Sequence, residues 1–284
     1  MGSVGIITDS VACLDEDVAS HLDIEVVPIH VIIDGVDYRD GIDLTPEGAY
    51  DLLDRSSNYS SAAPTVAEWH AAFERATERG HDSLVVVPVS RELSSTYDSA
   101  RLAASDSSVP VTVVDSGAAT AAQGLLVRRL AERSLTGWSR EELVAVVEKT
   151  REKYHFVGAI AELERLAHSG RMPATLAWLG DRADLKPLLE LKGDGTVHSR
   201  CLIRGFASAI ERVIGDVLSL IPADQPVRVV VTQARLDDDA DRMAERLRAE
   251  RPKAEVTEAP FSTVMVANTG PIVGIAWEDR GAWE

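Results

Sequence analysis

Cysteine is nearly missing from this 284-residue chain: only Cys13 and Cys201 occur, far apart, with no CxxC and no metal-ligand spacing. Two such residues read as reduced small hydrophobes of a cytoplasmic protein. No apolar run approaches 18 residues, so no membrane span is expected. The opening Met-Gly-Ser-Val-Gly-Ile-Ile-Thr-Asp lacks the basic n-region and small-residue cleavage site of a secretory signal, and it completes no myristoylation pattern. Phosphate loops are lacking too, since neither GxxxxGK[ST] nor GxGxxG appears, and a nucleotide site of its own is not expected. The absence of HxxxH and HExxH leaves metal binding without a motif. With no Gly-x-Ser-x-Gly, a serine hydrolase has no nucleophile elbow.

Basic charge is also scarce. Lys and Arg number 29 against 46 Asp and Glu, a formal net charge of −17. The imbalance is steepest in residues 1–54, where thirteen acids face Arg39 alone. Such a field repels nucleic acid and anionic membrane surfaces. Any lipid should therefore sit inside the protein. Apolar residues make up 45%, enough for a sizeable core in one large domain or two ordinary ones.

The first half alternates short apolar runs with helical patterns. Strands are expected at Val4–Thr8, Ile24–Ile33, Ser83–Val89 and Val111–Val114. Helices are expected at Asp15–Leu22, Val66–Arg79, Leu93–Ala104 and Ala118–Arg133. Thr65 with Glu68 forms a capping box, and Thr45-Pro46-Glu47 is a further helix start. Strands buried on both faces between helices imply a parallel sheet flanked by helices. A long helix from Arg140 to about Lys153 closes this half, which places a domain boundary there and gives domains 1–153 and 154–284. The second half has another rhythm. Strand-like runs 185–191 and 197–203 flank Lys192-Gly-Asp-Gly-Thr196, a hairpin signal. Strands at 157–160, 227–233, 254–260 and 273–277 and helices at 162–168, 205–220 and 237–251 complete a mixed α/β sheet. The tail 278–284 is expected to fray.

In an open α/β sheet, ligands bind beyond the carboxyl ends of the strands. Three polar clusters fall there: Thr8-Asp9-Ser10, Ser90 through Tyr97, and Asp115-Ser116-Gly117. Ser94, Ser95 and Thr96 are expected in the first turn of the Leu93 helix, where free N–H groups suit an anion; Ser90 or Ser94 could equally be an N-cap. None of the seven histidines lies in a motif that marks it as a base. The acid-rich stretch Asp34–Asp43 reads as a solvated loop.

Several motifs, in order and over nearly the whole chain, resemble those of the DegV family. They are Ile6-Ile-Thr-Asp-Ser10, Tyr38-Arg-Asp-Gly-Ile-Asp43, Leu93-Ser-Ser-Thr-Tyr97 with Ser99-Ala100, and Val114-Asp-Ser116 with Ala122-Gln-Gly124. The second half adds His168-Ser-Gly-Arg171, Leu185-Lys-Pro187, Arg204-Gly205 and Asn268-Thr-Gly-Pro271. The resemblance implies a two-domain α/β fold holding one long-chain fatty acid between the domains. It implies a non-catalytic carrier without cofactor or metal, which presents the acid to a separate kinase; the acyl phosphate formed there feeds phospholipid synthesis. Carried over residue by residue, the family's carboxylate contacts are Ser61, Ser94 and Asn268. Supporting polar or partner contacts fall on Ser95, Thr96, Thr269, Arg171 and Arg204. Ser61 stands where relatives carry Thr, Ala62 for Ser, Ser95 for Gly, Asn268 for His and Ile272 for Gly. An Asn amide can donate to a carboxylate but cannot become a cation or shuttle a proton. The departures thus bear on phosphorylation more than on binding. They leave room for a binding module for another lipid or acidic amphiphile. A serine-dependent hydrolase is the third reading. Apolar walls for an acyl chain are sought among Val264-Met-Val266, Ile160, Leu163, Leu166, Leu176 and Leu179.

Overall fold

The first strand, β1 (Val4–Asp9), is buried along its whole length, as the centre of a parallel sheet requires. It runs into a single 3-10 turn, Ser10–Ala12, capped by the Asp9 carboxylate, and then into α1 (Glu16–His21), capped by Asp15. The apolar run expected to make one strand makes two. These are β2 (Ile24–Val27) and β3 (His30–Ile33), and they belong to different sheets. Pro28 lies between them; it has no N–H to carry a ladder onward, and the chain changes sheets there.

The acid-rich stretch is only partly a solvated loop. Asp34 and Gly35 both take positive φ, +51° and +81°, and turn the chain into β4 (Val36–Arg39). Asp40 is only 3% exposed. After α2 (Pro46–Arg55), β5 (Tyr59–Ala62) completes a small antiparallel sheet in the order β4-β3-β5. Neither β4 nor β5 was expected from the sequence. α3 (Val66–Glu78) carries the expected capping box. β6 (Ser83–Val86), α4 (Thr96–Ala104), β7 (Val111–Val113), α5 (Thr120–Leu135) and α6 (Arg140–Thr150) follow. The sheet of this half, β2-β1-β6-β7, is parallel throughout.

The second half supplies β8 (Tyr154–Ile160), α7 (Glu164–His168), β9 (Leu185–Leu191), β10 (Val197–Arg204) and α8 (Phe206–Leu220). Then come β11 (Arg228–Ala234), α9 (Asp237–Glu250), β12 (Glu255–Pro260), α10 (Thr263–Thr269) and β13 (Ile272–Glu278). The six strands run β10-β9-β8-β13-β11-β12, all antiparallel except the β11–β12 pair. This is the expected α/β class: a parallel sheet flanked by helices, then a mixed sheet. Glu278 does not fray; it is buried at the end of β13 and pairs with Arg129 of α5. The computed structural model describes residues 3–176, 184–224 and 226–279, so the rest of the expected tail and Leu179 lie outside it.

One apolar cluster runs through both halves and includes Val31 and Leu126 of the first and Phe156, Phe261 and Val266 of the second. Two glycines show why the chain can close so tightly. A Cβ on Gly124 of α5 would stand 2.4 Å from the Ala12 carbonyl oxygen, so the helix can press on the 3-10 turn only there. A Cβ on Gly195, in the β9–β10 turn at φ +79°, would stand 2.3 Å from Ser90 Oγ.

Candidate functional site

All three polar clusters lie beyond the carboxyl ends of the parallel strands, but they do different work. Thr8-Asp9-Ser10 is consumed inside the protein. Thr8 Oγ1 donates to the Val87 carbonyl at 2.8 Å, and Gln123 Nε2 donates to Thr8 Oγ1 at 3.0 Å. Asp9 accepts from the N–H groups of Val89 (2.7 Å) and Val11 (3.0 Å). Burial nevertheless pushes its carboxyl up to about 6. Ser10 Oγ donates to Asp40 at 2.7 Å and accepts from the Ile29 N–H at 3.0 Å. The third cluster is likewise a turn: Asp115 accepts from the N–H of Gly117, and Ser116 Oγ from that of Ala118, each at 3.1 Å.

The middle cluster opens onto a cavity of about 290 Å³. Here the helix starts later than the sequence suggests. The N–H groups of Leu93 and Ser94 both donate to the Ser90 carbonyl, so residues 90–94 form a separate turn. α4 begins only at Thr96, with Ser95 at the N-cap making no side-chain cap. Ser94 and Ser95 therefore precede the helix rather than form its first turn. Ser94 Oγ and Thr96 Oγ1 share a hydrogen bond of 2.8 Å, which fixes Ser94 from behind by a buried neighbour.

The cavity wall is drawn from both halves. Val11, Ile29, Val89 and Ala119 come from the first; Phe156, Leu166, Leu189, Leu191, Val197, Phe261, Val264, Met265 and Ile272 come from the second. Among the sequence-expected walls, Val264, Met265 and Leu166 line it. Val266 faces a smaller recess beside Tyr50 and Arg235, and Ile160 and Leu176 lie in the surrounding core.

Ser61, Ser94, Ser95, Arg171, Asn268 and Thr269 are brought to this one cavity from four separate segments. Ser61 is on β5, whose edge pairs with β3 through Val31 opposite Ser61. Asn268 is on α10, which packs against α2, α7 and β5. The α10 start is pinned by Asp40, which accepts from the Thr263 N–H at 2.7 Å, while Thr263 Oγ1 donates to the Leu44 carbonyl at 2.9 Å. Enclosure raises the Asp40 carboxyl above its ordinary range. Gly270, at φ +68°, then ends the helix, its N–H on the Val266 carbonyl at 3.0 Å. Arg171 Nε donates to the Leu93 carbonyl at 3.3 Å, tying the segment after α7 to the Ser94 turn. His168 Nε2 meets the Tyr59 carbonyl at 3.0 Å, tying α7 to β5. Thr269 Oγ1 is engaged with the Met265 carbonyl at 2.8 Å. Arg204 is not part of this group; it stands exposed at the end of β10. Thr96 supports Ser94 without lining the cavity.

Two polar lining residues, Thr120 and Glu190, were missed from the sequence. Thr120 opens α5 at φ +57°, a left-handed conformation that a β-branched side chain rarely adopts. Its Oγ1 is buried without a hydrogen-bond partner among the described residues. Strain and an unpaired buried hydroxyl each cost about 1–3 kcal/mol. A threonine in Ala118-Ala-Thr-Ala-Ala-Gln reads as ordinary helix start, and nothing local signals its φ.

A mostly apolar cavity lined from both halves, with a few hydroxyl, amide and charged groups in its wall, is the usual make-up of a small-molecule site in an α/β protein. A family model described as "Uncharacterised protein, DegV family" matches residues 3–280. The chain belongs to the DegV family. A DegV domain-containing protein of Mycobacterium tuberculosis is 31% identical over 277 residues, covering 96% of this chain and 93% of its own. A second, from Streptomyces coelicolor, is 30% identical over 283 residues, covering 98% and 99%. Among solved structures, a DegV family protein of Thermus thermophilus, described for its fatty acid binding, is 28% identical with a TM-score of 0.89; the match covers 98% of this chain and 99% of that one.

Proposed function

We propose that the cavity holds one long-chain fatty acid, its carboxylate on Ser61, Ser94 and Asn268 and its chain against the apolar walls. The observation that carries this reading is the convergence of those three side chains, from three distant segments, on one cavity whose other lining residues are mostly apolar. Burying each methylene contributes about 0.8 kcal/mol, and an unpaired buried carboxylate would cancel that gain. The arrangement answers both demands. Ser61, Ser94 and Asn268 are only partly buried, so the head group lies at the mouth and the chain inside. Fatty acid binding by the Thermus thermophilus relative supports the same reading.

The protein then acts as a carrier rather than a catalyst. Ser94 shares its hydrogen bond with the Thr96 hydroxyl, an arrangement that positions a donor rather than activating a nucleophile. The family motifs further support delivery of the bound acid to a separate fatty acid kinase, for which the half-exposed rim leaves the carboxylate within reach. Native mass spectrometry of the purified protein tests the binding step: a co-purified mass of a C14–C20 fatty acid, or uptake of added palmitate or oleate at one equivalent, is expected. A different amphiphile mass would favour the second reading, a carrier for another acidic lipid, which the Asn268 and Ala62 departures permit. Neither co-purified nor added lipid binding would sink both.

A further inference from the structure

The polar groups of the cavity differ in exposure. Ser61, Ser94 and Asn268 are half-buried, whereas Thr120 is 5% exposed. Both α5, which opens with Thr120, and α10, which carries Asn268, pack on the 3-10 turn that carries Val11. Apolar Ala119 and Val89 line the same cavity, and α5 packs against β8, the strand of Phe156. Among the described cavity-lining residues, its Oγ1 is the buried side-chain polar atom that has no partner. The surrounding donors point the same way. α5 is sixteen residues long, its N-cap is Ala119, and no side chain caps its first N–H groups. Hydroxyl and N–H groups together are donors awaiting an oxygen acceptor.

A carboxylate held at the rim does not supply that acceptor. It has about four lone-pair sites, for which Ser61, Ser94, Asn268, Ser95 and Arg171, all lining the cavity, offer enough donors. A plain hydrocarbon chain offers nothing. We propose that Thr120 and the opening turn of α5 form a second polar subsite, inside the cavity, that takes an oxygen carried on the acyl chain, as in a hydroxy or oxo fatty acid. The proposal rests on the fatty acid reading and names its preferred substrate class. The left-handed φ of Thr120 is then what aims the hydroxyl inward instead of back onto its own helix.

The test is competition binding to delipidated protein, using stearate and a set of hydroxystearates that differ only in hydroxyl position. At least one positional isomer is expected to bind about fivefold to tenfold more tightly than stearate, the worth of one buried hydrogen bond. Thr120→Val should erase that preference, the hydroxystearate affinities converging on that for stearate. Thr120→Gly suits the positive φ and should fold whatever Val does; it too should lose the preference, and Thr120→Ser should keep it. The proposal is overturned if wild-type protein prefers no isomer or if the preference survives in Thr120→Gly. It is equally overturned if the variants lose stearate and hydroxystearate alike, which would make Thr120 a head-group contact. Binding of neither stearate nor any hydroxystearate by wild-type protein would instead defeat the underlying fatty acid reading.

Discussion

Ser94 is the residue on which the rim depends most directly, because its hydroxyl is already oriented by Thr96 and loses little freedom on meeting a carboxylate. A hydrogen bond to a charged acceptor is worth about 1.5–3 kcal/mol. Ser94→Ala should therefore raise the dissociation constant for palmitate by about tenfold or more, read by fluorescent-probe displacement. Unchanged affinity would put the carboxylate elsewhere. A residue outside the cavity makes a different prediction. Asp9 is enclosed, and its carboxyl titrates near 6 in the folded chain against an unfolded value near 3.9. The folded state thus binds this proton more tightly than the unfolded one. The stabilisation it provides is full below about pH 4 and is lost as pH rises through about 6. Urea midpoints at several pH values should show a descending contribution across that window, on the order of 2 kcal/mol, that is missing in Asp9→Asn. A parallel pH course in both proteins would show that Asp9 is ionised in the fold throughout. Of these residues, Ser94 was legible in the sequence as a hydroxyl beyond a strand end. Asp9 was legible only as polar. Its isolation comes from Val89, Gln123 and α5, contacts more than seventy residues away.

Elements were readable where a local signal decided them. The capping box of α3, the Pro-Glu start of α2, the Gly-Asp-Gly turn between β9 and β10 and the continuous apolar run of β1 all needed no distant partner. The elements that build the rim were harder. β5 is Tyr-Ser-Ser-Ala, polar and short, and is a strand because β3 offers it an edge. α10 is seven residues of Thr-Val-Met-Val-Ala-Asn-Thr, a β-branched run that propensity would not make helical. It is held by the buried Asp40, thirty residues after Ser10 of the 3-10 turn and more than two hundred before Thr263. That pin can be tested. Asp40→Ala leaves the Thr263 N–H and the Ser10 hydroxyl without their acceptor, at a cost of about 2–4 kcal/mol in unfolding free energy. Because α10 carries Asn268, palmitate affinity should fall as well, although Asp40 does not line the cavity. Chemical denaturation and probe displacement on the same variant read both effects. Loss of stability with intact affinity would mean that α10 keeps its place through the packing of Val264 and Val266 alone.

The whole molecule is held across its two sheets by charge as well as by the shared core. α5 belongs to the parallel half, yet Arg128 reaches Glu255 at 2.8 Å, Glu132 receives Arg228 at 2.9 Å and Arg129 pairs with the buried Glu278. None of these residues lines the cavity, whose wall includes residues of β5 and α10. A ligand seated there touches walls from both halves, so it binds only when both are folded and docked. Mass action then couples lipid to stability: a bound acid at a hundred times its dissociation constant contributes about 2.7 kcal/mol. Stripping the lipid should lower the melting midpoint, and adding back palmitate should restore it in a concentration-dependent way. Because the core is continuous through Val31, Leu126, Phe156 and Phe261, the loss should appear as a shift of a single transition, with calorimetric and van't Hoff enthalpies equal in both states. A delipidated protein that melts in two steps, one of them insensitive to palmitate, would show that the halves fold independently and that the chamber forms only when the lipid draws them together.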